Sequence, residues 1–482
     1  MIKFYNTLTR KLEEFKPLRP AQGKQKGFIG IYSCGPTVYW NQHLGHMYAY
    51  VQWDTLVRFF RFLDYQVKWV MNITDVGHLT SDEDTGEDKM EKGARREGLT
   101  VWQIADKYLA QFKDSLRLLN IQTPDVLCRA TKHIDTQIDL IKKIEANGFA
   151  YKTKTGLVFD TSKFPDYAQF GRLRLDKQTA GARVEIDPEK KQPWDFLLWV
   201  TNQPKHIMLW ESPWGRGFPG WHIECTAMST KYLGKQFDIH TGGKEHIPVH
   251  HTNEIAQAYG AFGRQTANYW LHNEWLTLKG GEKMSKSKGN FFTAQDLPKK
   301  AFSPLAFRYL VLTSHYRQGL VFDWEALKGA QTAWEKLVSM VKDWSGNRRT
   351  GRGETVIAPD DPGKIEQFQA DFSGRLADDL NAPEAVAVVW QMAKSDLPSP
   401  EKLDLLLQFD EVLGLGLLAA AKAKKEIKAP VEVQKLAEKR EQLRQAGDWQ
   451  QADQVRRQIE GMGWKIEDTS GGYQLIAAKS GI

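Results

Sequence analysis

Cysteine and long apolar runs are both scarce in this sequence. Only three cysteines occur among 482 residues, Cys34, Cys128 and Cys225. An odd and sparse set argues against a disulfide framework and is typical of a reducing compartment. No apolar run approaches the roughly 18 to 20 residues that cross a bilayer, and the opening residues lack the apolar core of a secretory signal. We therefore expect a cytoplasmic protein that does not enter the membrane.

The excess of charge is also small. The formal net charge is +7, with 41% hydrophobic and 26% charged residues. This composition is typical of a globular chain with ample core material, and the length predicts about three domains of roughly 150 residues each. The mild positive balance permits a polyanionic partner such as a nucleic acid but does not require one.

A strand, a turn and a helix follow one another between residues 28 and 71. The apolar run 28–32 predicts a buried strand, residues 45–64 have helical periodicity, and 66–71 predict a second strand. This order predicts a β-α-β unit of a parallel sheet. His43 and His46 stand at the start of the helix, where unpaired N–H groups favour phosphate. The two imidazoles could stabilise charge on a nucleotide; ordinary loop histidines are the alternative.

The next part of the chain predicts that this nucleotide-binding fold is split. A helix is predicted over 101–119, and residues 122–220 have the helix, short hairpin and Pro/Gly-rich turns of an insertion. Strands resume at 236–240 and 269–278, with a helix over 250–262 between them. The two halves must then meet in space.

The last third of the chain is predicted to be helical. Four segments between 331 and 418 have the periodicity of a helical bundle, interrupted by a loop over 345–363. Residues 422–430 are predicted to form a linker. The tail over 431–482 predicts one long charged helix and a small hairpin, and its basic residues are compatible either with nucleic-acid binding or with a solvated helix face.

A second cationic motif occurs late in the chain, Lys283-Met284-Ser285-Lys286-Ser287. Such a loop can clamp a triphosphate and neutralise the leaving pyrophosphate. A solvated basic loop is the alternative, but the string is specific, and its combination with His-Leu-Gly-His at 43–46 favours nucleotide chemistry.

Four separated residues could bind a metal ion. Cys34 ends the first predicted strand, Cys225 stands where the second half begins, and His250 and Glu254 share one face of a predicted helix. Two thiolates, an imidazole and a carboxylate suit Zn²⁺. Taken singly, each residue is more often structural, the cysteines as small apolar core residues and the His-Glu pair as a surface pair. His251 competes for the imidazole position, although the residue four positions after it is an isoleucine.

With these motifs in hand, the sequence resembles the cysteinyl-tRNA synthetases of class I over almost its whole length. HLGH and KMSKS resemble the two class signatures. Further blocks occur in the order of that family, namely CGPTVY, NITD, AGARVE, SPWGRGFPGWHIEC, NEIAQ and DDLNAPEA.

The resemblance implies an α/β fold: a class I Rossmann-like catalytic domain with a parallel sheet and a connective insertion, then an α-helical bundle and a small C-terminal anticodon-binding domain. The implied ranges are 1–121 and 221–293 for the two catalytic halves, 122–220 for the insertion, 294–330 for a stem-contact region after KMSKS, 331–421 for the bundle and 431–482 for the anticodon-recognition domain.

The resemblance also implies roles for individual residues. Cys34, Cys225, His250 and Glu254 would hold one Zn²⁺ per chain, which would bind the substrate thiolate directly and so reject serine. The cysteine pocket would be formed by Gly35, Thr37, Thr74 and Trp221. ATP would contact His43, Gly45, His46, His240, Lys283, Ser285, Lys286 and Ser287. Of these, the catalytic residues would be His43, His46, Lys283 and Lys286.

The implied reaction forms cysteinyl-adenylate and pyrophosphate from L-cysteine and ATP with Mg²⁺, and then transfers cysteine to the 3′ end of tRNA(Cys). A monomer is expected. Two alternatives are a ligase that transfers the same adenylate to an amino-sugar, which would lack the tail, and a non-catalytic RNA-binding paralogue, which would have lost a signature or a metal ligand.

Some positions depart from the family pattern. Met47 and Tyr48 replace a small residue and an arginine after the first signature, and Thr241, Glu245 and Thr252 replace a glycine, an aspartate and a glutamate. The run after Thr74-Asp75 also differs, and the end of the tail lacks the usual Gly-Thr-x-Trp. We expect these changes to affect contacts with ATP and the tRNA 3′ end rather than the reaction.

Overall fold

The computed structural model describes residues 1–19, 28–77, 88–174, 188–282, 284, 289–350, 362–422, 429–469 and 472–477. The chain forms two compact units, Met1–Ala421 and Lys422–Ile482. Within the described ranges, no helix combines the length and the apolarity needed to cross a bilayer.

The strands are β1 (Lys3–Asn6), β2 (Lys11–Glu14), β3 (Phe28–Ser33), β4 (Gln66–Ile73), β5 (Val126–Arg129), β6 (Ala150–Thr153), β7 (Gly156–Phe159), β8 (Phe196–Val200), β9 (Phe218–Pro219), β10 (Phe237–Gly243), β11 (Ala267–Asn273), β12 (Leu276–Leu278), β13 (Leu320–Phe322), β14 (Trp464–Thr469) and β15 (Gly472–Ala477).

The helices are α1 (Leu44–Phe62), α2 (Lys89–Glu97), α3 (Val101–Leu118), α4 (Ile134–Ala146), α5 (Tyr167–Gly171), α6 (Ile223–Leu233), α7 (Thr252–Phe262), α8 (Asp296–Lys299), α9 (Pro304–Leu312), α10 (Trp324–Thr350), α11 (Pro362–Ala377), α12 (Ala382–Lys394), α13 (Ser399–Leu413), α14 (Leu417–Lys422), α15 (Val431–Gln445) and α16 (Trp449–Gly461).

A five-stranded parallel sheet with the order β11-β10-β3-β4-β5 forms the centre of the first unit. Strand β3 lies in the middle and pairs Ile31 with Ile239 on one side and with Trp69 on the other. The predicted β-α-β unit is therefore confirmed. Strand β5 completes the sheet although it lies inside the range 122–220 that the sequence analysis assigned to the insertion. Strand β5 was not predicted, because its four residues are too few to show a periodic apolar pattern.

Alternate residues of the central strands enter two different hydrophobic cores, because side chains of a strand alternate between the faces of a sheet. Ile31 packs with α1, whereas Tyr32 packs with α6 and α4. Both faces of the sheet are thus covered, which explains why the predicted strands are apolar without alternation.

A four-stranded antiparallel sheet with the order β6-β7-β8-β9 forms the insertion. The predicted hairpin is its first pair of strands. A further antiparallel pair, β1 with β2, precedes the central sheet. Neither strand was predicted, because strands of four residues give little periodicity.

A buried arginine joins α1 to the helices that follow the central sheet. Arg308 in α9 is fully buried and donates from Nη2 to Asp54 Oδ2 at 2.6 Å. Its other nitrogens donate to the backbone carbonyls of Leu119, Asn120 and Leu413 at 2.5–3.1 Å. Gly414 has φ +65°, and a Cβ there would lie 2.7 Å from Arg308 Cζ, so the turn after α13 requires glycine.

The long helices α10, α11, α12 and α13 form the predicted bundle. Helix α10 continues to Thr350, so the predicted loop begins later than residue 345, and residues 351–361 lie outside the described ranges.

The second unit contains the predicted hairpin, β14 with β15. The prediction of a single long helix in the tail is wrong, because two helices, α15 and α16, occupy that range. Gly447 adopts φ +79° after α15, and the side chain of Asp448 caps α16 by accepting from the N–H of Gln451 at 3.1 Å.

Candidate functional site

A cavity of about 710 Å³ opens at the carboxyl ends of β3 and β10, where ligands bind to open parallel sheets. Its wall includes Cys34, directly after β3, and Gly243, the last residue of β10. The start of α1 supplies His43, Gly45 and His46 to the same wall. The predicted strand–turn–helix segment thus opens directly on the cavity.

The two histidines at the start of α1 cap the helix reciprocally. The His46 N–H donates to His43 Nδ1 at 3.3 Å, and the His43 N–H donates to His46 Nδ1 at 3.2 Å. Their ring centroids are 3.7 Å apart. Leu44 N also donates to the carbonyl of Phe292 at 2.8 Å, which joins the helix start to the chain that follows the KMSKS segment.

A cluster of thiol, imidazole and carboxylate groups lies beside the cavity. One atom each of Cys34, His250, His251 and Glu254 lie within 4.8 Å of one another. Glu254 Oε1 is 3.1 Å from His250 Nε2, and Cys34 Sγ is 3.2 Å from His251 Nε2. Cys225 is not part of this set of four, but Cys34 and His250 are close enough to lower the pKa of its thiol. We call these five residues the thiol cluster.

Opposite charges stabilise each other inside the thiol cluster. The hydrogen bond with Cys34 lowers the pKa of Cys225, whereas burial raises the pKa of Cys34. Burial lowers the pKa of His250, but Cys225 and Glu254 outweigh it and raise the value to about 10. Burial also opposes ionisation of Glu254, yet His240 and His250 bring its pKa down to about 2. Without a metal ion Glu254 is therefore a carboxylate and His250 an imidazolium, and because a metal ion binds thiolate and neutral imidazole, its binding here would release protons from the cluster.

A further histidine, His272, supports the thiol cluster through a hydrogen bond with His251. His251 Nδ1 is 2.7 Å from His272 Nε2, and His272 Nδ1 is 2.8 Å from the hydroxyl of Thr7. Burial lowers the pKa of His251 and of His272 well below the usual value, so both remain neutral and orient each other by hydrogen bonds.

His240 does not lie where the sequence analysis expected it. The resemblance implied a contact with ATP, but the side chain is fully buried and its Nε2 is 2.9 Å from Glu254 Oε2. The ring also stacks on Trp270 with centroids 4.3 Å apart. His240 thus contacts the thiol cluster from its buried side instead of reaching the cavity.

The residues expected to bind the amino acid are grouped around the turn after β3. Gly35, Thr37 and Trp221 line the cavity. A Cβ at Gly35 would lie 1.7 Å from the carbonyl oxygen of Asn72, so no side chain fits there. Thr74 is buried and does not appear on the described cavity wall; its hydroxyl donates to Glu224 Oε2 at 2.7 Å.

Most of the second cationic motif lies outside the described residues, namely Lys283, Ser285, Lys286 and Ser287. Met284 is described, is buried and lines the cavity. The predicted roles of the four other residues stay predictions.

Four of the departures from the family pattern divide into two groups. Met47 and Tyr48 belong to α1 and are fully buried in the hydrophobic core. The hydroxyl of Thr241 is 2.7 Å from that of Ser33, between neighbouring strands. Glu245 alone among these four lines the cavity, where it accepts from Trp275 Nε1 at 2.7 Å. Three of the departures thus concern packing within the fold.

Comparison with known proteins identifies one family. Residues 20–332 match the family model described as the catalytic domain of class I (C) tRNA synthetases. A cysteine–tRNA ligase 1 of Burkholderia lata is 44% identical over 483 residues, covering 100% of this chain and 98% of that protein. The cysteine–tRNA ligase of Treponema denticola is 42% identical, covering 98% of each chain. That of Thermus thermophilus is 39% identical, covering 97% of this chain and 98% of its own.

Solved structures resemble the fold. A Mycobacterium tuberculosis methionyl-tRNA synthetase in complex with methionyl-adenylate superposes with a TM-score of 0.56 at 16% identity, over 82% of this chain and 90% of that one. A putative arginyl-tRNA synthetase from Campylobacter jejuni gives 0.51 at 14% identity, over 83% and 93%. At these identities the similarity concerns the fold alone, and it agrees with the parallel sheet described above.

Proposed function

The chain belongs to the cysteine–tRNA ligase family of class I aminoacyl-tRNA synthetases, and we propose that its cavity joins L-cysteine to ATP and then transfers the cysteinyl group to tRNA(Cys). One observation carries the proposal: the thiol cluster and the His43–His46 pair adjoin the same cavity. Amino-acid recognition and phosphate chemistry thus occur side by side, with the reactants held in place.

The chemistry follows from these two groups. The carboxylate of cysteine attacks the α-phosphorus of ATP, a P–O bond forms, and pyrophosphate leaves. Negative charge develops on the phosphate oxygens, and the imidazoles of His43 and His46 with the start of α1 stabilise it. No side chain needs to act as a nucleophile, because the substrate supplies one.

The thiol cluster fits a zinc ion by the chemistry of its donor groups. Cys34, His250 and Glu254 lie within one group of possible ligand atoms, Cys225 adjoins it with a lowered thiol pKa, and Glu254 is held as a carboxylate. We propose Cys34, Cys225, His250 and Glu254 as the ligands, with His251 supporting Cys34 through the 3.2 Å contact. Bound zinc supplies an affinity for the substrate thiolate that a serine hydroxyl cannot match. Mg²⁺ is proposed to accompany ATP.

The affinity for zinc should distinguish Cys225 from His251 as the fourth ligand. Cys225→Ala is expected to weaken zinc binding more than about a hundredfold, because it removes a charged ligand, whereas His251→Gln should weaken it only about tenfold, as loss of a supporting group does. Competition with a chromophoric chelator on both purified variants gives the two affinities. Greater loss of zinc in His251→Gln than in Cys225→Ala would reverse the assignment.

The histidine pair can be tested without disturbing the helix. His46→Gln retains an acceptor for the capping box but removes the imidazole, so kcat of ATP–pyrophosphate exchange should fall about a hundredfold with little change in the KM for cysteine. Thr100→Ala is the matched control, because it breaks the capping box of α3 and should cost only about 1 kcal/mol of stability. Unchanged kcat in His46→Gln would remove that residue from the proposed chemistry.

The acceptor distinguishes the proposed function from the amino-sugar ligase. We propose that the bundle of α10–α13 and the unit after residue 421 recognise tRNA, including its anticodon, in a cytoplasmic and monomeric enzyme. Incubation with cysteine and ATP should charge tRNA(Cys) and leave an amino-sugar unmodified. Cysteinylation of the amino-sugar alone would refute the tRNA ligase, and absence of cysteine-dependent exchange would refute both.

A further inference from the structure

Lys89 is a charged residue of the cavity to which neither the signatures nor the metal ligands assign a role. It is the first residue of α2 and is only partly buried. Its Nζ lies 4.1 Å from the centroid of the Trp221 ring, and both residues line the cavity. The ammonium thus reaches the wall on which the amino acid is proposed to bind.

The position of Lys89 is held by the residues around it. Asp88 caps α2 by accepting from the N–H of Glu91 at 2.8 Å, and Asp88 Oδ2 lies 2.6 Å from His206 Nε2. His206 in turn stacks on Phe218, with ring centroids 4.1 Å apart. Glu91 accepts from the N–H of Ile207 at 2.7 Å. The start of α2 is therefore anchored to the insertion.

Trp221 links Lys89 to the thiol cluster. Its ring centroid is 6.1 Å from that of His250, in an edge-to-face arrangement. A cysteine molecule whose sulfur binds at the cluster would lie along this indole, because sulfur and carboxylate are separated by only two carbons. The opposite end of the amino acid then comes within reach of the lysine.

The proposed reaction needs a cation at that point. The attacking carboxylate and the α-phosphate are both anions, so their approach is opposed by charge repulsion unless a positive group lies near them.

We propose that Lys89 binds the carboxylate of the substrate cysteine and orients it towards ATP. This inference rests on the proposed function. It makes Lys89 a substrate-binding residue that selects free amino acids over thiols without a carboxylate, such as cysteamine.

The experiment compares cysteine with cysteamine in the zinc-loaded protein. Lys89→Met keeps the aliphatic stem over Trp221 and removes the charge. It should raise the KM for cysteine in ATP–pyrophosphate exchange about thirtyfold, as expected for loss of a hydrogen-bonded ion pair, and leave the KM for ATP within about twofold. The inhibition constant of cysteamine should stay unchanged, since that molecule has no carboxylate to lose. Lys89→Arg should restore most of the affinity for cysteine.

Lys92→Met is the matched control, because Lys92 lies three residues along the same helix and is exposed; it should alter neither constant. An unchanged KM for cysteine in Lys89→Met overturns the inference, as does a rise confined to the KM for ATP, which would place the lysine on a phosphate. If the unaltered chain shows no cysteine-dependent exchange, both the proposed function and the inference are refuted. If the unaltered chain shows exchange and the KM of Lys89→Met for cysteine is the same as that of the unaltered chain, only the inference is refuted.

Discussion

Cys34→Ala is expected to lower kcat/KM for cysteine in ATP–pyrophosphate exchange at least about a thousandfold, or roughly 4 kcal/mol of transition-state stabilisation. Cys34 contacts His251 at 3.2 Å and Glu254 at 3.9 Å, and burial together with Cys225 raises the pKa of its thiol. Its loss removes a proposed zinc ligand and leaves the ionised Glu254 and His250 without their thiol neighbour. Zinc content and exchange kinetics measured on the same preparation test this.

The control is Cys128→Ala. Cys128 is buried, whereas Cys34 is half-buried at the cavity; the thiol of Cys128 donates to the carbonyl of Met71 at 3.4 Å and lies outside the thiol cluster. We expect a small loss of stability and full zinc content. Cys34→Ala that retains both zinc and cysteine-dependent exchange would exclude the cluster as the site of amino-acid recognition.

Arg308→Met is expected to reduce the free energy of unfolding by about 3–5 kcal/mol, because it removes the charge partner and the hydrogen-bond donor of a buried network. Asp54 has no exposed side-chain surface, and it would keep the ion pair with Arg58 at 2.7 Å and the hydrogen bond from the Gln122 N–H at 2.8 Å. The backbone carbonyls of Leu119, Asn120 and Leu413 would each lose a donor. Denaturant unfolding followed by circular dichroism measures the change.

Arg117→Met provides the comparison, since Arg117 forms an exposed ion pair with Asp114 in α3 and should change stability by less than about 0.5 kcal/mol. Equal effects of the two substitutions would show that the Arg308 network contributes no more than a surface pair. Because α1 contains both Asp54 and the histidines at its start, exchange activity of Arg308→Met should also decline at temperatures where the unaltered chain remains folded.

The elements that the sequence predicted well are those with long and regular patterns. Helix α1 and its flanking strands β3 and β4 occur within two residues of the predicted bounds, because burial of one helical face and of whole strands leaves a clear trace in the order of residues. Strand β5 and the pair β1–β2 have only four residues each, and their positions depend on partners distant in the chain. The break between α15 and α16 depends on a turn at Gly447 and Asp448. The turn was not predicted, because the charged residues on both sides of it look like one continuous helix.

The candidate site shows the same division. Cys34, His250 and Glu254 were expected to meet, and the structure brings them together. His251 was considered and set aside on helical spacing, but residues Ile247–His251 form a turn of π-helix, which changes the directions of neighbouring side chains. Lys89 carried no signal, because its proximity to Trp221 arises only when segments distant in the sequence pack together.

The order of the central sheet also affects how the protein is made. Strand β3 lies at the centre, yet its partner β10 follows it by 208 residues at the pair Ser33 and Thr241. At ribosomal rates of about 5–20 residues per second, one edge of β3 stays without its strand for on the order of tens of seconds. The nascent chain carries an apolar, unpaired edge throughout this interval, which is a hazard for association with other chains. The separation that lets two distant segments build one cavity therefore makes the emerging polypeptide a natural client of chaperones.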